Sequence, residues 1–229
     1  MSINHINDIL LGDCIEIMRG GVKDNSIDLI VTDPPYLINY KTQHRKNKEH
    51  DFCSTIQNDN NPQLISQYIK ECYRVLKDNT AMYMFCNSDK VDFFKSELEK
   101  YFKIKNMIIW YKNNHTAGDL KGQFAKRYEI IFLVNKGRRE MNHGLKRITD
   151  IWHFDRVVGG QQQHQNQKPV DLIKQCILYH SNENDIVFDG FMGSGTTAIA
   201  AIETGRRFLG IEIEDKYIKV AKNRLGMIK

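Results

Sequence analysis

Proline is scarce in this chain of 229 residues: there are four, and two of them are adjacent. With no Pro/Ser-rich run there is no evident linker and no internal repeat, so residues 1–229 are expected to form one domain. Cysteine is also sparse. Cys14, Cys53, Cys72, Cys86 and Cys176 are odd in number and include no C-x-x-C pair. That argues against a disulfide framework or a zinc ribbon and favours a reducing compartment. No apolar run approaches the ~18–20 residues of a membrane span. The eight histidines share no ligand spacing and no H-E-x-x-H occurs, so no metal site is expected. The first residues, MSINHINDILLGD, carry Asn, His and Asp inside their apolar stretch and lack a basic flank. They are not expected to be a signal peptide, and the expected location is cytoplasmic.

What the chain has is an uneven charge. The net value is +5, which alone says little. Residues 41–50 carry +3 through Lys41, Arg45, Lys46 and Lys48; residues 112–127 carry +3 through Lys112, Lys121, Lys126 and Arg127. Residues 136–147 carry +4, with Lys136, Arg138, Arg139, Lys146 and Arg147. The remainder is net acidic. Basic segments on an acidic body point to a polyanion partner, although solvated loops would look the same in sequence.

Hydrophobic spacing predicts strands at Asp28–Thr32, Ala81–Cys86, Ile104–Tyr111, Tyr128–Val134, Asp185–Asp189 and Phe208–Glu212. Helical spacing covers Leu64–Leu76, Val91–Tyr101, the segment opened by Pro169, Thr196–Glu203 and Glu214–Arg224. Alternating strands and helices imply an α/β fold with a mostly parallel sheet covered on both faces. The stretches 37–61 and 136–167 lack periodicity, and loops of that length in a compact domain are usually functional or disordered.

Four motifs carry chemistry. Asp33-Pro34-Pro35-Tyr36 follows a strand directly, at the sheet edge where open α/β folds bind ligands. It offers a carboxylate, carbonyls free to accept, and an aromatic face, which suits a planar ring bearing an amine; a strand-end turn also uses Asp and Pro. Asp189-Gly190-Phe191-Met192-Gly193-Ser194-Gly195-Thr196-Thr197 lies between a strand and a helix, and Glu212 ends the next strand, placed for ribose hydroxyls. Its spacing approaches a P-loop, but Thr196 stands where the lysine would be. Asp13, in Gly12-Asp13-Cys14-Ile15-Glu16, reads both as a helix N-cap and as an acceptor for an adenine amine. His164-Gln165-Asn166-Gln167-Lys168-Pro169 by itself is a loop before a Pro-started helix.

Together these residues resemble the S-adenosylmethionine-dependent DNA amino-methyltransferases. D-P-P-Y is similar to the family's catalytic motif, D-G-F-M-G-S-G-T-T to its D-P-F-x-G-S-G-T-T cofactor motif, and H-Q-N-Q-K-P to its H-P-x-Q-K-P. The motif order resembles the circularly permuted β-class, and the resemblance implies a Rossmann-like fold. It implies Asp33, Pro34, Pro35 and Tyr36 as catalytic residues. It further implies Asp13, Cys14, Asp33, Lys168, Asp189, Phe191, Gly193, Ser194, Gly195, Thr196 and Glu212 as residues binding S-adenosylmethionine. Gly190 stands where the family usually has Pro, which should loosen that turn, and Gln165 and Asn166 replace its usual Pro and Thr.

The implied partner is double-stranded DNA. Loop 37–61 with Lys41, Arg45, Lys46 and Lys48 is expected to close over a flipped base. Segments 112–127 and 136–167 are expected to recognise the target, with Lys121, Lys126, Arg127, Arg138 and Arg139 on phosphates and Asn113, Asn114 and Gln123 reading bases. D-P-P-Y favours the N6 amine of adenine. The alternatives are the N4 amine of cytosine, an RNA or protein-amide substrate, and a DNA-binding module with a degenerate site; Asp33 and the basic segments favour DNA. The resemblance leaves open a homodimer and a companion restriction endonuclease, in a bacterial or phage-encoded setting.

Overall fold

A computed structural model describes residues 6–38, 59–115, 121–122, 124–142, 144–157 and 167–226. Lys41, Arg45, Lys46 and Lys48, as well as Gln123 and His164–Asn166, lie outside the described residues.

Among the described residues there are eight strands and six α-helices. In chain order they are β1 (Asp8–Leu11), α1 (Cys14–Gly21), β2 (Ile27–Thr32), α2 (Pro62–Val75), β3 (Leu76–Cys86), α3 (Val91–Glu99) and β4 (Lys103–Tyr111). There follow β5 (Tyr128–Lys136), β6 (Ile151–His153), α4 (Val170–His180), β7 (Ile186–Asp189), α5 (Thr196–Glu203), β8 (Arg207–Glu212) and α6 (Asp215–Gly226). The strands form one sheet in the order β1-β8-β7-β2-β3-β5-β4-β6. All run parallel except β5, which is antiparallel to both β3 and β4.

Helices cover both faces, so the central strands are apolar on both sides. In β2, Ile30 points into a core shared with α1, α2 and α3. Its neighbours Leu29 and Val31 point into a second core shared with α4, α5 and α6. Local signals set the helix starts. Asn61 accepts from the Leu64 N–H ahead of Pro62, and Asp13 Oδ1 accepts from the N–H groups of Ile15 (2.8 Å) and Glu16 (3.1 Å).

Parallel strands bring their ends to a common edge. The carboxyl edge collects the residues after β1, β2, β3, β4, β7 and β8, together with the residues just before β5. That is the rim on which the sequence motifs converge. The reversed β5 has the opposite consequence for residues 136–147. Lys136 pairs with Thr80 near the beginning of β3, so this segment leaves the sheet at its amino edge.

Candidate active site

The carboxyl edge opens into a cleft of about 280 Å³, lined at one end by Asp33–Tyr36 and at the other by Gly12, Asp13, Gly193 and Glu212. Asp33 follows the last residue of β2. Its Oδ1 is 2.5 Å from the Tyr36 hydroxyl, and its Oδ2 is 2.7 Å from Lys168 Nζ. Glu129, on β5, completes the cluster. Its Oε2 lies 3.1 Å from Lys168 Nζ and 3.0 Å from the Tyr36 hydroxyl, and its Oε1 lies 3.0 Å from Lys112 Nζ. Lys168 also sits over the Tyr36 ring at 5.2 Å.

The two carboxylates differ in strength. Burial works against the Glu129 charge, but Lys168 and Lys112 outweigh it and hold its pKa down to about 2. Burial raises the Asp33 pKa; Lys168 opposes this and the neighbouring Glu129 adds to it. Lys168 is held in its charged form by the two carboxylates against its own burial. Asp33 is therefore the more basic of the two carboxylates.

The glycine turn is built around a second buried acid. Asp189 Oδ1 accepts from the Thr32 hydroxyl and the Phe191 N–H, both at 3.0 Å, and Oδ2 accepts from the Thr197 hydroxyl at 2.7 Å. These bonds tie β2, β7 and α5 together behind the cleft. The expectation that Gly190 loosens the turn is corrected here. The Gly190 N–H donates to the Tyr68 hydroxyl at 3.1 Å, a bond Pro would lack, and a Cβ at this position would meet the Tyr68 ring at 2.5 Å. Tyr68 thus takes over the fixing of this turn. Gly195 caps α5 with φ +83°, and a Cβ there would stand 2.8 Å from that of Ala221. Arg224 of α6 donates to the Ser194 carbonyl at 2.6 Å and to its hydroxyl at 3.0 Å.

At the far end Glu212 is buried. Its Oε2 accepts from the Gly193 N–H (2.8 Å) and its Oε1 from the Glu214 N–H (2.9 Å). Each oxygen keeps acceptor capacity, as a carboxylate offers about four sites. Asp13, whose Oδ1 caps α1, lines the same end of the cleft, where the Gly12 N–H donates to the Glu212 carbonyl at 2.9 Å. Burial pushes the Cys14 thiol up to about 12, so it stays protonated. Asp13, Asp33, Asp189 and Glu212 all line one cleft. That set of acceptors fits a ligand with hydroxyl and amine donors and a positive centre, as S-adenosylmethionine has. Among the described residues no group of His, Cys, Asp and Glu could hold a metal ion.

The basic residues divide. Lys126 lines the cleft and pairs with Asp89, Arg127 stacks over Tyr111 at 4.8 Å, and Lys121 is exposed on the same loop. Arg138 and Arg139 are not brought to this rim. They stand at the amino edge, where Arg138 pairs with Glu140 and Arg139 donates to Asn142. Lys136 is buried against the carbonyls of Tyr73 and Leu76. The sequence does not single out Glu129 or Tyr68, and it places Lys112 in the target-recognition segment rather than at the Asp33 cluster. The available signal for Glu129 was a carboxylate opening an otherwise apolar strand.

Such a sheet, with an Asp-Pro-Pro-Tyr corner and an acidic far end in one cleft at its carboxyl edge, defines an S-adenosylmethionine-dependent amino-methyltransferase. The DNA methylase family profile matches residues 27–223, and the chain belongs to that family. It is a DNA methyltransferase that uses S-adenosylmethionine. It is 31% identical to the Type II methyltransferase M.HinfI of Haemophilus influenzae, over 98% of this chain and 69% of that one. It is 30% identical to the DNA adenine methyltransferase YhdJ of Escherichia coli K12, over 98% and 84%. The crystal structure of the M1.HpyAVI–SAM complex superposes with a TM-score of 0.72 at 28% identity, covering 95% of this chain and 98% of that one.

Proposed function

We propose that the enzyme methylates the N6 amine of a flipped-out adenine in double-stranded DNA, and that Asp33 receives that amine. The observation that carries this reading is the position of the Asp33 carboxylate, half-buried just after β2 in the same cleft as Glu212 and the glycine turn. An exocyclic amine is a poor nucleophile because its lone pair is conjugated into the ring. Hydrogen bonds from N6 to Asp33 and to the Pro34 carbonyl favour a tetrahedral nitrogen with a localised lone pair. S-Adenosylmethionine supplies a methyl group on a positively charged sulfur, a leaving group that needs no further activation. Positioning in the cleft does the rest. Methylation leaves the nitrogen cationic, so it must lose one proton, and the basicity that burial confers on Asp33 suits it to take that proton. Tyr36 offers a ring for the base to stack on.

In the same reading Glu212 and Asp13 hold the ribose hydroxyls and the adenine amine of the cofactor. Asp189, Phe191, Gly193, Ser194, Gly195 and Thr196 shape its turn, and Cys14 and Lys168 line its path. Lys121, Lys126 and Arg127, with Lys41, Arg45, Lys46 and Lys48, grip phosphates. The Type II names among the relatives support a companion restriction endonuclease. A single methyltransferase domain, a cytoplasmic location and a homodimer complete the reading; no helix among the described residues is long and apolar enough to cross a membrane.

Transfer of a radiolabelled methyl group to unmethylated DNA, followed by nucleoside analysis, tests it. The label is expected in N6-methyladenine; label in N4-methylcytosine, RNA or protein would refute it. Asp33→Ala is expected to lower turnover by at least about 10²-fold while cofactor affinity stays within about threefold.

A further inference from the structure

Asp33 is already occupied. Its Oδ1 takes the Tyr36 hydroxyl at 2.5 Å and its Oδ2 takes Lys168 Nζ at 2.7 Å. Each oxygen keeps a second acceptor site, but a substrate amine must compete with these two donors for the carboxylate, and Lys168 is buried and Tyr36 half-buried, where a donor left without its partner is costly. Glu129 Oε2 stands within bonding distance of the same two donors, at 3.1 Å from Lys168 Nζ and 3.0 Å from the Tyr36 hydroxyl. Either donor can leave Asp33 and keep a carboxylate. The Tyr36 hydroxyl has one proton to share between them, and Lys168 has three. Lys112, 3.0 Å from Glu129 Oε1, secures the other oxygen and fixes the carboxylate in place.

We propose that Glu129 is a positioning residue that takes over Lys168 and the Tyr36 hydroxyl from Asp33 as the substrate amine arrives, so that Asp33 is released without leaving a buried charge unpaired. The proposal rests on the reading that Asp33 receives the amine. With Asp33 and Glu129 against Lys112 and Lys168 the cluster is balanced, and the exchange moves hydrogen bonds without moving net charge. Without the Glu129 charge, Lys168 has Asp33 as its remaining counter-ion in the cluster and locks it.

The titratable groups in contact with Lys168 are Asp33 and Tyr36 beyond β2 and Glu129 on β5; Lys112, beyond β4, faces Glu129, the Cys86 thiol of β3 stands near Glu129 and Asp33, and Asp189 of β7 stands near Asp33. The test is methyl transfer to unmethylated DNA at saturating S-adenosylmethionine, for the wild type, Glu129→Gln, Glu129→Asp, Lys168→Met and the Glu129→Gln/Lys168→Met pair. Glu129→Gln is expected to lower kcat at pH 7 at least about tenfold, with KM for S-adenosylmethionine within about twofold. The deficit should shrink towards pH 9.5, because Lys168 with a single counter-charge gives up its proton more readily and frees Asp33. The paired variant should regain at least about threefold over Glu129→Gln at pH 7 and lose the pH-dependent recovery. Glu129→Asp, which keeps the charge, should retain more activity than Glu129→Gln.

Wild-type kcat in Glu129→Gln overturns the proposal. So does a deficit that is equal at every pH and unrelieved in the paired variant, which is what a purely structural role predicts. Asp33→Ala separates the two levels. If that variant remains active, the underlying reading has failed; if it is inactive while Glu129→Gln is normal, the exchange alone has failed.

Discussion

Asp189 is a buried carboxylate held by two hydroxyls and an N–H rather than by a cation. Burial therefore dominates and pushes its pKa up to about 7. The folded protein binds this proton more tightly than the unfolded chain does. The stability the group contributes is full below the ordinary carboxylate value and is lost as pH rises through about 7. Glu129, held down by two lysines, has the opposite sign. Asn at position 189 keeps an acceptor for Thr32 and Phe191, and the Thr197 hydroxyl can turn to accept from its amide. Asp189→Asn is expected to remove the fall in thermal stability that this group causes between about pH 4 and about pH 7. Melting curves across that range, wild type against variant, check it; parallel pH dependences would refute the assignment.

The loop between β4 and β5 is tied to the rest of the protein at its base. The Lys112 N–H donates to the Arg127 carbonyl at 2.8 Å, Arg127 lies over Tyr111, and Lys126 pairs with Asp89. Beside them Phe124 is fully exposed. An aromatic ring held entirely in water contributes nothing to the core, and two residues from a lysine on the cleft it suits stacking against a base or a sugar. Phe124→Ala is expected to weaken duplex binding about fivefold or more, since aromatic–base stacking amounts to ~1–3 kcal/mol. Thermal stability should change by less than about 0.5 kcal/mol. Fluorescence anisotropy with a labelled duplex and a parallel melting curve distinguish the two effects. Unchanged affinity would remove Phe124 from the DNA-facing surface.

For the whole molecule the decisive property is which edge of the sheet each basic segment reaches. Residues 112–127 leave β4 at the carboxyl edge, and the segment containing residues 41–50 is flanked by Ile38 and Asp59, both on the cleft. Residues 136–147 follow the antiparallel β5 to the other edge. DNA affinity should fall steeply with salt, as it does where phosphates are neutralised by lysine and arginine. Lys121→Glu together with Lys126→Glu is expected to reduce the slope of log K against log salt by about 2, roughly one for each phosphate no longer neutralised. Arg138→Glu with Arg139→Glu should leave it unchanged. Equal effects from the two pairs would mean that DNA does not approach the carboxyl edge.

The motifs that line the cleft were legible because each is local. Asp33–Tyr36, Asp189–Thr197 and Glu212 are short strand-to-loop junctions whose chemistry is written in consecutive residues. The parallel order of strands followed from alternating periodicity, and the start of α1 from Asp13. The three-residue β6 was too short for a period-2 signal, and β1 is a run of four residues, Asp8–Leu11, too short to show one either. Loosening at Gly190 was expected from that residue alone; Tyr68, 122 positions away, supplies the hydroxyl that holds the turn.

The sequence by itself determined the reaction class and the residues at each end of the cleft, since those depend on side-chain types in contiguous runs. The tertiary structure alone decided that Glu129, tied to Lys112, shares Lys168 with Asp33, and that Arg138 and Arg139 stand away from it. Both outcomes follow from the reversal of β5. It brings the first residues of that strand to the active-site edge and sends the last ones to the opposite side, a long-range pairing that local periodicity does not encode.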